Sequence, residues 1–405
     1  MTSRVARQRK KGTGSAGTMT GRVSVLLLLA PVVALVALGL VMLGSTGAFS
    51  AESGSDLYFN VKRQVLWLSV GSCVCLFLTL TDYHLFEKLR VPLFVATVLL
   101  LVACFVPFIG ERVNGASRWV SGKAIGLDFL RFQPSELAKL CAIVFLAAWY
   151  HRRDKEEAGE FGEGFFRPLL LIGLLVLLIG AEVDLGSAAL VVAVSVSVMF
   201  VAGVGLKYLA AMAGAGIGGL ALMIAIIPNR TARFVAFLDL EAHKFDIGMQ
   251  QWRGLLALGS GGVEGMGLGL GRQKMAYLPF AHTDFIFPII GEELGVYYTL
   301  GVVLCFVLIL AAGYVIALHA PDRFGRLLAF GLTTAIVLQA ALNIAVTTGT
   351  LPNKGLPLPF VSYGGSNLLF CLGSLGIILN IYRQGTNIHA TSAPRISKSK
   401  VTPRL

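Results

Sequence analysis

The stretch from Gly259 to Gly295, GSGGVEGMGLGLGRQKMAYLPFAHTDFIFPIIGEELG, holds the densest set of side chains that could do chemistry. Two cations, Arg272 and Lys274, precede His282 and Asp284, which stand directly before a long apolar run. An ionisable group at the start of a hydrophobic span is costly unless it faces a wet cavity or a partner. Asp284 is therefore the candidate centre of activity, a carboxylate placed to take a proton; the bland alternative is an N-cap of the helix that follows. The glycines Gly259, Gly261, Gly262, Gly265, Gly267, Gly269 and Gly271 follow no strand, which excludes a dinucleotide fold. They let backbone amides approach closely, either as a nest for an anion or for flexible packing. Glu292 and Glu293, about two turns further in, call for a cation on a neighbouring helix.

A second constellation lies between Gly110 and Leu140, with Arg112, Arg118, Lys123 and Arg131. Guanidinium forks suit phosphate oxygens, so an anionic lipid-linked phosphate is the functional partner, against a solvated loop as the plain one. Pro134 then opens a helix with Glu136 and Lys139 at i, i+3, either a structural pair or a phosphate-facing lysine. Glu182 and Asp184 occupy a tight turn where they can share a cation or hold an arginine, while Asp184 can equally cap the next helix. The last loop, Gly349 to Asn367, holds Pro352, Pro357 and Pro359 among glycines. Such irregular backbone at membrane depth must be buried in protein or line a wet cavity, which places Lys354, Ser362, Tyr363 and Ser366 with Asp284.

Elements that position these groups follow from composition. The chain has 405 residues, 56% of them hydrophobic and 14% charged, with mean hydropathy +0.76. This is a polytopic all-α membrane protein rather than a set of soluble domains. Spans are expected at Val23–Leu43, Gln64–Leu80, Val91–Ile109, Pro134–Tyr150, Pro168–Ala181, Gly186–Val204, Leu206–Ile227, Phe285–His319, Arg326–Thr347 and Tyr363–Tyr382. They form a ten-helix domain over 22–384, flanked by a disordered basic tail at 1–21 and a basic tail at 385–405. Val23–Leu43 exceeds the roughly 7–15 apolar residues of a signal peptide, so a retained anchor is expected. Between the seventh and eighth spans the large 228–284 loop carries an amphipathic piece, Thr231–Asp239, and Gly248–Gly254, which suggest short helices at the membrane surface, with Trp252 and Tyr277 as interfacial anchors.

The net charge of +12 is a topology signal and not a nucleic-acid footprint. Roughly twenty Lys and Arg fall on the side of the termini against roughly seven opposite, so both tails are expected in the cytoplasm and the candidate site outside it. The six cysteines all lie in apolar runs and are taken as small hydrophobes. No fixed-period repeat is evident, which argues against an inverted-repeat transporter.

NGASRWV at 114–120, FQPSELAKL at 132–140, AHTDFIF with GEELG, and KGLPLPFVSYGGSNL at 354–368 closely resemble the shape, elongation, division and sporulation (SEDS) family of bacterial membrane proteins. Lys354 and the Ala281–Asp284 wording look more like the division branch than the elongation branch. The resemblance implies polymerisation of lipid II into peptidoglycan glycan strands at the outer face of the cytoplasmic membrane. It also implies a class B penicillin-binding transpeptidase as partner, within a division complex of membrane proteins and lipids. Asp284 matches the family's outer-loop aspartate. Phe280 replaces the family's usual glutamate, and Val183 its usual proline. A diphosphate-lipid leaving group and an inverting displacement require a base, which Asp284 supplies, and cations for the diphosphate. The cations are Arg112, Arg118, Lys123, Arg131, Arg272, Lys274 and Lys354, helped by a divalent ion, Mg or Mn, on Asp284, Glu182 and Asp184. A lipid II transporter and a non-catalytic division scaffold are the competing readings.

Overall fold

Where no water can satisfy the backbone, a chain closes its hydrogen bonds along itself, and the apolar runs here form helices. The computed structural model describes residues 2–47, 58–113, 116–122, 127–275, 278 and 281–391. Its helices are α1 (Thr2–Gly47), α2 (Phe59–Leu80), α3 (His84–Lys88), α4 (Arg90–Ala103), α5 (Pro134–His151), α6 (Lys155–Gly159), α7 (Arg167–Ala181) and α8 (Leu185–Ala202). They continue as α9 (Leu206–Ile226), α10 (Pro228–Leu238), α11 (Met249–Gly261), α12 (Ile286–Leu294), α13 (Val296–Leu318), α14 (Arg323–Thr347) and α15 (Gly365–Thr391).

Among the described residues, eight helices are long and apolar enough to cross a membrane. Two of the ten expected spans fall outside that set. The third ends early, because α4 stops at Ala103 after 14 residues and the chain turns through Phe105–Ile109. The fourth, α5, is diluted by Glu136, Lys139 and His151. The expected short span before Ala181 is completed by a π-helical turn, Phe161–Phe166, which brings it to 21 residues. Basic residues ahead of Val23, expected as a disordered tail, continue α1 backwards from the apolar span, since propagating a helix costs far less than starting one. The C-terminal tail is helical to Thr391; the residues beyond it lie outside the described ones.

The long Phe285–His319 helix expected from hydropathy is broken. α12 stops at Leu294 and α13 begins at Val296, around Gly295 with φ 80°. A Cβ on Gly295 would meet the Val263 carbonyl oxygen at 2.3 Å, so the break is where the glycine-rich loop presses on the bundle.

The loop after α4 is not irregular. Alternating ASRWVSG and LDFLRF form an antiparallel meander of β1 (Gly110–Val113), β2 (Ala116–Gly122) and β3 (Leu127–Phe132), in that order. Glu111 pairs with Trp119 and Ser121 with Arg131 across it. This small sheet is the one departure from an all-helical chain among the described residues.

Helices close on each other through small residues, as lipid-embedded interfaces require. α2 lies against α15, where a Cβ on Gly376 would sit 2.5 Å from the Cys75 carbonyl oxygen. α5, α8 and α14 form the buried centre, whereas α9 is among the least buried of the spans.

Candidate functional site

The turn 281–285 is held by the proline-bounded loop before α15. The Tyr363 N–H donates to the His282 carbonyl at 3.0 Å, and the Ser362 hydroxyl to the Thr283 carbonyl at 2.6 Å. From α14, the Asn343 amide donates both to the Asp284 carbonyl at 2.8 Å and to the Leu356 carbonyl at 2.6 Å. The His282 and Tyr363 rings stand 5.8 Å apart. Backbone bonds thus fix Asp284 from two sides and leave its carboxylate out of the scaffold. Gly355 comes so close that a Cβ there would lie 2.6 Å from Asp284 Oδ2. Asp284 does not cap the helix, because the N-cap of α12 is Phe285 and no side chain caps it.

Burial pushes the Asp284 carboxyl up to about 6, with the Arg118 guanidinium pulling it down and the Asp184 carboxylate pushing it up. A carboxylate that titrates near neutrality is matched to general-base work. Arg118 and the cations grouped with it come from three elements. Arg118 on β2 donates to the Val183 carbonyl at 2.6 Å, and Arg230 on α10 donates to the same oxygen at 3.0 Å. Val183 holds φ 67°, a strained conformation for a β-branched residue, and this turns its carbonyl to both guanidiniums. Proline could not adopt that φ, so valine here is compatible with the two-arginine clamp in this geometry. Arg233 is within electrostatic reach of Arg118, and Lys354 within reach of Arg230. Burial first and Arg230 second lower the Lys354 ammonium, as expected of like charges gathered without an anion between them.

Several sequence candidates lie elsewhere or have other work. Lys139 is ion-paired to Glu136 at 2.6 Å and donates to Gln339 at 2.6 Å, with its side chain 1% exposed, so the structural pair prevails. Lys274 is likewise buried, 2.6 Å from Glu293 and 2.6 Å from the Ser45 hydroxyl of α1. It is the cation sought for Glu293, but it comes from the glycine loop and not from a neighbouring helix. That loop is an anion nest for the protein's own carboxylates. The Gly269 N–H donates to Glu293 at 2.9 Å, and the Arg272 and Gln273 N–H groups to Glu292 at 2.8 and 3.2 Å. Arg272 keeps its side chain exposed.

Arg112 is exposed and donates to Ser117 at 3.2 Å, and Arg131 pairs with Glu111 at 3.1 Å across the sheet. Arg131 is thus neutralised within the meander, while Arg112 stays exposed beside a neutral hydroxyl. Ser362 and Ser366 are buried; the first is tied to Thr283 and Leu358, and the second accepts the Gln133 N–H at 3.1 Å. Lys123, Tyr277 and Phe280 lie outside the described residues.

The acidic turn is engaged in other contacts in this geometry. Asp184 caps α8 through the Ser187 N–H at 3.3 Å and accepts from Gln133 at 3.0 Å and Ser135 at 3.2 Å. Glu182 is 0% exposed, and burial pushes its carboxyl up to about 8. No three His, Cys, Asp or Glu side chains are grouped to hold a metal ion among the described residues, so the divalent ion expected on Asp284, Glu182 and Asp184 finds no ready set of ligands there.

Arg230 and Arg233 are candidates that the sequence did not single out. Their signal is there, two arginines at i, i+3 in a short amphipathic helix, but only the fold brings that helix to Arg118 and the Val183 carbonyl. Arg230→Ala is expected to raise KM for an anionic substrate about tenfold with little change in thermal stability, since it removes one charge-assisted contact. Michaelis kinetics alongside a melt of each protein checks this; an unchanged KM would place Arg230 outside the site.

A sequence model of the family FTSW_RODA_SPOVE, described as cell cycle protein, matches residues 25–387. A relative from Geobacter sp. (strain M18), named probable peptidoglycan glycosyltransferase FtsW, is 39% identical over 357 residues, covering 88% of this chain and 96% of its own. One of the same name from Saccharophagus degradans is 37% identical, covering 87% and 91%. A solved chain, from work on the structural coordination of polymerization and crosslinking by a peptidoglycan synthase complex, superposes with a TM-score of 0.71 at 30% identity, over 88% of this chain and 97% of its own. The rod shape determining protein RodA of Thermus thermophilus gives a TM-score of 0.65 at 28% identity, over 89% and 96%.

Proposed function

The chain belongs to the FtsW/RodA/SpoVE family of cell cycle proteins, and from that premise we propose that it is a multi-pass membrane peptidoglycan glycosyltransferase of cell division. The substrate is lipid II, and growth of the strand is an inverting displacement. The hydroxyl oxygen of the acceptor sugar attacks the anomeric carbon of the donor while the bond from that carbon to the diphosphate breaks. The hydroxyl proton passes to Asp284, and the departing diphosphate is held by Arg118, Arg230, Arg233 and Lys354.

The observation that carries this reading is a half-buried carboxylate with no structural duty, set beside a group of unneutralised cations. Orientation follows from the positive-inside rule: the end with Asp284 lies outside the cytoplasmic membrane and both termini inside. Similarity to a chain of a peptidoglycan synthase complex supports a class B penicillin-binding transpeptidase as partner. Transport is the weaker reading, because the cations gather at one end of the bundle.

Purified protein with labelled lipid II is expected to yield glycan polymer; headgroup translocation in vesicles without polymer would overturn the proposal. The pH dependence has a definite sign. A base must be ionised, so turnover is present above about 6 and falls tenfold per pH unit below it. A rate that stays level from pH 7 to pH 5 would remove Asp284 from the proton transfer.

A further inference from the structure

The far end of the bundle holds a space that this reaction does not use. Between α8, α9 and α14 lies a cavity of about 390 Å³, lined by Val196, Phe200, Leu209, Ala210, Ala213 and Phe330. Ser197 also borders it, but its hydroxyl donates to the Ala193 carbonyl at 2.8 Å, so the wall offers mainly carbon. The lining lies near the Ala202 end of α8, while Asp184 caps the other end; from Asp184 to Phe200 the helix rises roughly 24 Å. The cavity is therefore separate from the surroundings of Asp284. A carbon-lined space among membrane-crossing helices faces hydrocarbon, and leaving it empty forfeits dispersion contacts along every wall.

Its rim is charged. Lys207 is exposed on α9, one turn from Ala210, and Arg326 is exposed on α14, one turn from Phe330. Arg323 donates to the Ala202 carbonyl at 2.9 Å, which brings the start of α14 to the end of α8 and sets both cations at the same end of the cavity. The first turn of α9, whose N-cap Gly205 has no side chain to cap it, adds free amides there.

A carbon-lined cavity with two cations and a helix start at its mouth matches an acyl chain joined to a negative headgroup. We propose that this cleft holds one acyl chain of an anionic phospholipid, with the phosphate at Lys207 and Arg326. The lipid fills the gap beside α9, a span that packs mainly on α8 and α10 and is otherwise exposed.

Native mass spectrometry of the full-length protein in detergent, with phosphatidylglycerol or phosphatidylcholine added, tests this. Phosphatidylglycerol is expected to be retained over phosphatidylcholine by on the order of tenfold, the effect of two surface cations on one phosphate. Replacing both cations, Lys207→Ala with Arg326→Ala, should bring the two lipids level. Ala213→Phe fills the cavity and should reduce retention of both; if that variant does not fold, Ala210→Leu serves the same purpose. Equal retention of the two lipids by the unaltered protein, or a full lipid load on a folded cavity-filled variant, would overturn the proposal.

Discussion

Asp284→Asn is expected to lower glycan polymerisation by about 10²–10⁴-fold, the range a positioned general base contributes. The substitution keeps size and shape. It also keeps the turn, because Asn343 holds the backbone carbonyl of position 284 and not its side chain. Only the ability to accept a proton is lost. The cations that hold the diphosphate are untouched, so binding of labelled lipid II should match the unaltered protein, and the loss should fall on kcat. Gel separation of the polymer, with a melt and a lipid II binding measurement on each protein, reads all three quantities. An Asp284→Asn protein that polymerises at the original rate would refute the mechanism even if the family assignment stood.

Lys274→Met should be strongly destabilising. Its ammonium is 2% exposed and the Glu293 carboxylate 0%, so the change strands a charge where water cannot reach it. Removing one member of such a pair costs about 3–5 kcal/mol. The effect is local in origin but wide in reach, because Glu293 also receives the Ser45 hydroxyl of α1 and the Gly269 amide. α1, the glycine loop and α12 are all tied through one carboxylate. Adding Glu293→Gln to the Lys274→Met protein removes the stranded charge while keeping an acceptor for those donors, and most of the lost melting temperature should return. If the double variant melts no higher than the single one, charge burial is not the cause.

These two residues also show how differently parts of the site could be read beforehand. Asp284 is legible because an acid at the edge of an apolar span has few cheap explanations. Lys274, ten positions earlier and equally polar, looks the same in sequence and has the opposite fate: it neutralises a buried glutamate and is closed to substrate. Lys139 repeats the lesson, since its i, i+3 spacing from Glu136 allowed both a pair and a ligand, and burial decides for the pair. The glycines allowed an anion nest without naming the anion, which proves to be Glu292 and Glu293.

Hydropathy alone determined that this chain is a helical membrane protein and where most spans lie, because removing water from the backbone leaves a helix as the cheapest way to satisfy it. Local motifs alone singled out Asp284 as the candidate, and their likeness to a family supplied the chemistry proposed around it. Only the tertiary structure decided that the Phe285–His319 helix breaks at Gly295, that Arg131, Lys139 and Lys274 are ion-paired within the protein, and that Arg230 and Arg233 join Arg118. The reason is that a charge is defined by its surroundings. Spacing along the chain says which groups can share a helix face, whereas the partner that neutralises a cation, or leaves it free for a phosphate, arrives from segments far away in sequence.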